Sequence, residues 1–126
     1  MKNIKNWNLF NETFNYIGEL AEALKNKKNI LIIVNSEEDI SNIICDEMDK
    51  YINDYIEIEQ EVEYDSIINV INEYGTPNTY YFIKRLDLVQ KQWKNDIDFN
   101  NKYIISTTAQ VHATELEKYF DVTITI

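Results

Sequence analysis

The chain has 126 residues, enough for a single domain that buries its core without disulfides, and we treat residues 1–126 as one such domain. It carries 22 acidic and 12 basic side chains, a net charge of −10, which argues against binding to nucleic acid or to an anionic membrane. A single cysteine excludes an internal disulfide, and no apolar run approaches the length of a membrane span, so we expect a cytoplasmic protein.

The first helix is predicted from residues whose spacing alternates between three and four positions, from Trp7 to Leu24. The apolar run Ile30–Val34 then predicts a buried strand. Ser36, with Asp39 three residues later, resembles a capping box and predicts the start of a second helix.

The segment from Tyr55 to Tyr64 alternates apolar and acidic residues, which is typical of a half-exposed strand at or near the edge of a sheet. Its acidic side consists of Glu57, Glu59, Glu61 and Glu63. Such a row could imitate nucleic acid towards a basic protein. It could equally serve only to prevent association between sheet edges.

The remaining elements follow in alternation. Asp65 is expected to cap a short helix that ends before Gly75-Thr76-Pro77. The later strands are predicted at Tyr80–Ile83, Tyr103–Ile105 and Val122–Ile126, and the later helices at Asp87–Ile97 and His112–Phe120. Ser106-Thr107-Thr108 is interpreted as a polar turn.

This order of elements predicts an α/β domain, a three-layer sandwich with about five mostly parallel strands and an N-terminal helix. In such folds ligands bind beyond the carboxyl ends of the strands. Residues 35–39, 84–87 and 106–110 are therefore the positions at which a site is expected.

The polar residues at these positions have competing interpretations. Glu37, Glu38 and Asp39 suit the first turn of a helix and oppose a bound phosphate, so Ser36 is interpreted as a cap rather than a nucleotide ligand. The hydroxyls at 106–108 either cap the next helix or bind a phosphoryl oxygen.

The basic residues Lys84, Arg85 and Lys91 either form internal salt bridges or remain solvated. His112 is interpreted as a surface or helix-start residue and Cys45 as a small buried hydrophobe. We predict no cofactor and no metal.

The arrangement resembles the nucleotide-binding core of AAA+ ATPases over nearly the whole chain, through "YYFIKRLDLV" and "KYIISTTAQVHATELEKYFDVTITI". The resemblance implies a P-loop-NTPase-like fold, but Lys84 and Arg85 stand where that family has two acidic residues. Ala109 replaces the sensor asparagine, Lys118 and Tyr119 stand where arginines are common, and no G-x-x-x-x-G-K-[ST] follows Val34.

A weaker resemblance, through "ILIIVNSEEDISNII", is to response-regulator receivers. Here Asn35 and Ser36 replace the acidic metal-binding pair and Lys84 replaces the aspartate that is phosphorylated. The two families predict different sheets. The first strand lies between strand four and strand three or five in the ATPase lineage, and beside strands two and three in receivers.

We therefore expect a non-catalytic protein-binding module, a pseudo-ATPase-like subunit or regulator linked to DNA replication or another AAA+ assembly. One alternative is an acidic inhibitor, of the kind that a phage could encode, that occupies a nucleic-acid-binding surface. Another is a pseudo-receiver that works without phosphorylation. The partner is expected to be a protein with a basic surface, contacted by residues at the acidic positions or at the strand ends. The candidates are Glu37, Glu38, Asp39, Glu57, Glu59, Glu61, Glu63, Lys84 and Arg85.

Overall fold

A computed structural model describes residues 16–35, 40–59 and 61–126. Its centre is one sheet of five parallel strands in the order β2-β3-β4-β1-β5. The strands are β1 (Ile30–Val34), β2 (Tyr55–Ile58), β3 (Tyr80–Ile83), β4 (Tyr103–Ala109) and β5 (Val122–Thr125). β1 pairs with β4 on one side and with β5 on the other. The predicted α/β fold class is confirmed.

Helices lie along the chain between these strands. They are α1 (16–25 within the described residues), α2 (Ser41–Tyr51), α3 (Tyr64–Glu73), α4 (Trp93–Asp96) and α5 (Ala113–Leu116). Four single 3-10 turns accompany them, at Leu86–Leu88, Phe99–Asn101, Gln110–His112 and Glu117–Tyr119.

The core has two halves, one on each face of the sheet. Leu20 of α1 and Ile44 of α2 pack with Ile30 and Ile32 against one face. The other face of the sheet is covered by elements that include α3, α4 and α5, and there Leu31 packs against a second cluster of buried apolar residues. Successive residues of a strand point to opposite faces, so a strand covered on both sides must be apolar throughout. This is why β1 and β3 were recognisable from their uninterrupted apolar runs.

The edge position predicted for the second strand is confirmed, but its predicted length is wrong. β2 ends at Ile58, so only Glu57 of the four predicted glutamates lies on the strand. Glu59 follows its last residue, and Glu61 and Glu63 lie between it and α3. The neighbouring β3 provides the reason. Ile58 is opposite Ile83, the last residue of β3, and the chain then turns away, so no partner remains for a longer β2.

The predicted helices also differ from the structure. The segment predicted as a helix at His112–Phe120 contains only the short α5 and the 3-10 turn Glu117–Tyr119. The segment Asp87–Ile97 contains a single 3-10 turn and the short α4, with Leu88 exposed rather than facing inward. Asp65 lies in the first turn of α3 and caps nothing, since α3 begins at Tyr64. Gly75 does end that helix region with φ of 88°, as predicted.

The second helix begins at Ser41, later than predicted, and Ile40 at its start provides no side-chain cap. The capping box and acidic first turn predicted at residues 36–39 lie outside the described residues, as do Trp7 and the rest of the segment before Tyr16.

Asn29, directly before β1, joins three parts of the fold at the amino ends of the strands. Its side-chain Nδ2 donates to the carbonyl of Phe99 at 2.9 Å, and its Oδ1 accepts from the backbone N–H of Ile104 at 2.7 Å. Its own N–H donates to Asp121 Oδ2 at 2.9 Å. The residue is buried, so these groups have no water to replace a lost partner.

We expect Asn29→Ala to lower the free energy of unfolding by about 2–3 kcal/mol, because it leaves the buried N–H of Ile104 and the partly buried carbonyl of Phe99 without their partners. Urea denaturation followed by circular dichroism measures this loss. Asn78→Ala, at an exposed position, is the control and should change little. Equal midpoints for the two variants would show that the Asn29 amide does not hold the strands together.

Candidate functional site at the carboxyl ends of the strands

The turn after β3 and the end of β4 meet at the edge of the sheet where a site was expected. The backbone N–H of Arg85 donates to Thr107 Oγ1 at 3.0 Å, and the N–H of Ala109 donates to Asp87 Oδ2 at 3.3 Å. Beside them, at the end of β1, Asn35 N–H donates to the carbonyl of Ile126 at 3.4 Å. Two of the three predicted segments are therefore in contact, and residues 36–39 of the third are outside the described residues.

The hydroxyls at 106–108 belong to a strand, which corrects their interpretation as a turn that caps a helix. All three residues are buried in the second half of β4. Ser106 Oγ donates to the carbonyl of Ile83 at 2.6 Å and accepts from the N–H of Leu86 at 3.3 Å. The β4 hydroxyls thus provide hydrogen-bond partners for backbone groups in the turn that follows β3. They take the place of the hydrogen bonds between strands, which end with β3.

Arg85 lies in that turn. Its backbone is left-handed, with φ of 56°, a conformation that costs a residue with a side chain about 1–2 kcal/mol. The bond from its N–H to Thr107 holds it there, and two nitrogens of its guanidinium donate to Asp87, Nε at 2.9 Å and Nη2 at 2.8 Å. The hydrogen bond to Asp87 raises the pKa of Arg85, so the cation persists.

Asp87 was not singled out from the sequence, although its side chain is completely buried. A buried carboxylate requires partners, and this one has the Arg85 guanidinium and the Ala109 N–H. The sequence signal was the i, i+2 spacing of Arg85 and Asp87 at a strand end, which is too common to be diagnostic.

Lys84 points towards the edge strand rather than towards the loop after β1. Its Nζ lies 2.5 Å from Glu59 Oε1 and 3.4 Å from Glu57 Oε2. The hydrogen bond that Lys84 donates to Glu59 is the main cause that raises the pKa of Lys84. Lys84 and Arg85 are thus both engaged in ion pairs, as one of the two interpretations proposed, while Lys91 is exposed.

Cys45 extends the Lys84 network to α2. It is partly buried against the core rather than fully enclosed, and its Sγ donates to Glu57 Oε1 at 3.1 Å. Burial, followed by the hydrogen bond and charge of Glu57, raises the pKa of the Cys45 thiol to about 12. The thiol is therefore protonated at neutral pH.

Two large apolar side chains stand exposed at the same edge. Leu88 follows the Asp87 contact and is 53% exposed, and Val111, two residues after Ala109, is 81% exposed. The helical pattern of residues 87–97 predicts an inward position for Leu88, which is wrong, and no pattern in the sequence indicates exposure of Val111. His112 beside it is exposed and immediately precedes α5, as predicted.

Within the described ranges, no group of three or more His, Cys, Asp or Glu side chains is arranged to hold a metal ion. Over the same residues, no helix combines the length and the apolar character that crossing a bilayer requires.

The chain matches no model of a protein family, and no curated protein is significantly similar to it. Its fold defines its structural class, which is an α/β domain with a five-stranded parallel sheet and helices on both faces.

Proposed function

We propose that the chain is a non-catalytic protein-binding module, a pseudo-ATPase-like subunit or regulator of an AAA+ assembly such as those of DNA replication. The order of the sheet supports the ATPase lineage. β1 lies between β4 and β5, which is the neighbourhood expected for that lineage, whereas a receiver would place β1 beside β2 and β3.

One observation carries the non-catalytic part of the proposal. The polar groups at the carboxyl ends of β3 and β4 already have partners within the chain: Lys84 binds two glutamates at the β2 edge, Arg85 binds Asp87, and the Ser106 and Thr107 hydroxyls bind the turn. A nucleotide site needs N–H groups, a cation and a metal-binding carboxylate that are free to meet phosphate and magnesium. Here the candidates at β3 and β4 are already bound to other groups of the chain.

The binding part rests on what the same edge exposes. Leu88 and Val111 present apolar surface beside these closed ion pairs. Apolar side chains that are exposed at the functional edge of a sheet are suited to contact with another protein. The overall charge of −10 favours a partner with a basic surface.

Nucleotide titration tests the non-catalytic claim. Isothermal calorimetry with Mg-ATP should show no saturable binding in the low-millimolar range or below, for the unmodified chain and for Lys84→Ala alike. Tight binding that is lost in Lys84→Ala or Ser36→Ala would refute the proposal and identify a nucleotide site.

The surface can be tested with the chain as an affinity bait in an extract of its own host. We expect Leu88→Ser combined with Val111→Ser to lose the captured partner. Val62→Ser combined with Ile43→Ser removes exposed apolar side chains elsewhere and is the matched control.

A third variant, with Glu57, Glu59, Glu61 and Glu63 changed to Gln, distinguishes the proposal from the acidic-inhibitor alternative. A module that docks through Leu88 and Val111 keeps its partner in this variant. An inhibitor that imitates nucleic acid loses it, and its binding to the unmodified chain weakens steeply with salt.

A further inference from the structure

The outer edge of β2 is open to another strand within the described residues. On the inner edge, Tyr80 N–H donates to the carbonyl of Asp54 at 3.1 Å, and Lys84 N–H donates to that of Ile58 at 3.0 Å. In a parallel pair, alternate residues direct both backbone groups to the same side. The N–H and C=O groups of Tyr55 and Glu57 therefore face away from β3, on the side where the sheet order places no strand.

A shallow apolar groove runs beside this edge on one face of the sheet. It has a volume of about 410 Å³, and its wall is formed by Ile56 of β2 together with one side of α3. The helix contributes Ser66, Asn69, Val70 and, just after its end, Tyr74. Tyr74 is 59% exposed, so its ring forms a free wall of the groove.

The opposite face of the same edge is acidic. Tyr55 and Glu57 alternate with Ile56 and therefore point towards α2, where Glu57 meets Cys45 and the Tyr55 hydroxyl donates to Asp49 at 2.7 Å. The Glu57 and Glu59 side chains are 41% and 48% exposed, and a single ammonium, that of Lys84, lies between them. From Asp49 to Asp65 the chain has seven acids and one base, Lys50.

We propose that this edge binds an extended segment of a partner protein in which apolar and basic residues alternate. Such a segment adds to β2 as a sixth strand, through the backbone groups of Tyr55 and Glu57. Its apolar side chains enter the groove beside α3, and its Lys or Arg side chains meet Glu57 and Glu59. This surface is separate from the Leu88 and Val111 edge, so the inference does not rest on the proposed function.

Charge selects this occupant over a second copy of the chain. Pairing of two β2 edges would bring two acidic strands together, on two molecules that each carry −10. Like charges on neighbouring strands are destabilising, and a basic segment avoids this cost.

The test uses a fluorescein-labelled peptide, Lys-Val-Arg-Val-Lys-Val with blocked ends, and the full chain. We expect saturable binding by anisotropy, and amide shifts in ¹⁵N spectra that are concentrated at Tyr55, Ile56 and Glu57. The same peptide methylated at every backbone nitrogen keeps its charge and loses its donors. It should not bind, which separates strand addition from attraction between charges alone.

Two arginine variants on α3 form a matched pair. Asn69→Arg places a cation in the groove and should weaken peptide binding about tenfold or more, because it fills the space and repels the basic residues. Asn72→Arg adds the same charge at an exposed position of the same helix outside this groove, and should change the affinity less than about twofold.

Each of three results would overturn the inference. The first is equal binding of the methylated peptide, and the second is equal loss of affinity in the two arginine variants. The third is self-association of the chain through β2, seen in sedimentation as a dimer that Asn69→Arg abolishes and the peptide does not dissociate. None of these bears on the nucleotide titration or on the Leu88 and Val111 variants.

Discussion

Replacing Trp93 with alanine is expected to cost about 4 kcal/mol of unfolding free energy, the largest loss of stability that we predict for a single side chain. Trp93 is almost completely buried, and its ring meets Tyr119 edge-on with the centroids 5.0 Å apart. Phe99 lies 5.8 Å from Trp93 and 5.6 Å from Tyr119, and Phe120 lies 5.4 Å from Phe99.

The reason for this cost is the shortness of the surrounding elements. α4 has four residues, and the 3-10 turns at Phe99–Asn101 and Glu117–Tyr119 have three each. Such short helices are unstable alone, so the aromatic cluster must hold the connections from β3 to β4 and from β4 to β5 in place.

Urea denaturation measures the loss, with Tyr74→Ala as the control, since that aromatic side chain is mostly exposed. Trp93→Phe keeps a ring in the site and should cost about half as much, which guards against an alanine variant that does not fold. Equal losses in Trp93→Ala and Tyr74→Ala would mean that the cluster does not stabilise this layer.

Alkylation of Cys45 at pH 8 should be on the order of a thousandfold slower in the folded chain than in the chain unfolded by urea. Only the thiolate reacts, and its pKa rises from an ordinary value near 9.0 to about 12 in the folded state. Because Cys45 is the only cysteine, mass spectrometry counts the modification without ambiguity.

The sign of the shift also fixes the effect of pH on stability. A thiol whose pKa is raised by folding contributes its full stabilisation below pH 9, and this contribution is lost as the pH rises towards 12. Burial raises the pKa of Tyr16 to about 12 in the same direction, so the protein should unfold more readily in alkali.

Glu57→Gln is the matched variant for Cys45. It removes the negative charge but keeps an acceptor oxygen and leaves burial, the largest cause, so alkylation should accelerate only in part. A folded chain that reacts as fast as the unfolded one would contradict both the burial of Cys45 and its hydrogen bond to Glu57.

The fold class could be predicted because its strongest signal is local. β1 and β3 are covered on both faces, so every residue of these strands must be apolar, and an uninterrupted apolar run can be recognised in the sequence. What could not be predicted depends on residues far along the chain. β2 stops where β3 stops, and no property of the acidic segment after Ile58 reveals the end of another strand.

The candidate site shows the same division. Its place at the strand ends follows from the α/β class, but its chemistry depends on pairings across the fold. The polar residues Ser106 and Thr107 are typical of a turn when only the neighbouring sequence is considered. Their hydroxyls in fact bind backbone groups 20 to 23 residues away in the chain, and the neighbouring sequence does not show this. Likewise, Lys84 binds Glu59, 25 residues earlier in the chain, and no local pattern predicts this ion pair.

The sheet order affects how the protein folds while the ribosome synthesises it. The two neighbours of β1 are β4 and β5, and the contacts of Asn29 beside it reach 75 and 92 residues down the chain. The apolar strand Ile30–Val34 is therefore synthesised long before either partner exists. Pairings of such long range form slowly, and an unpaired apolar strand is prone to aggregate in the meantime. Efficient production of this protein should depend on chaperones that shield the emerging chain until β4 has been made.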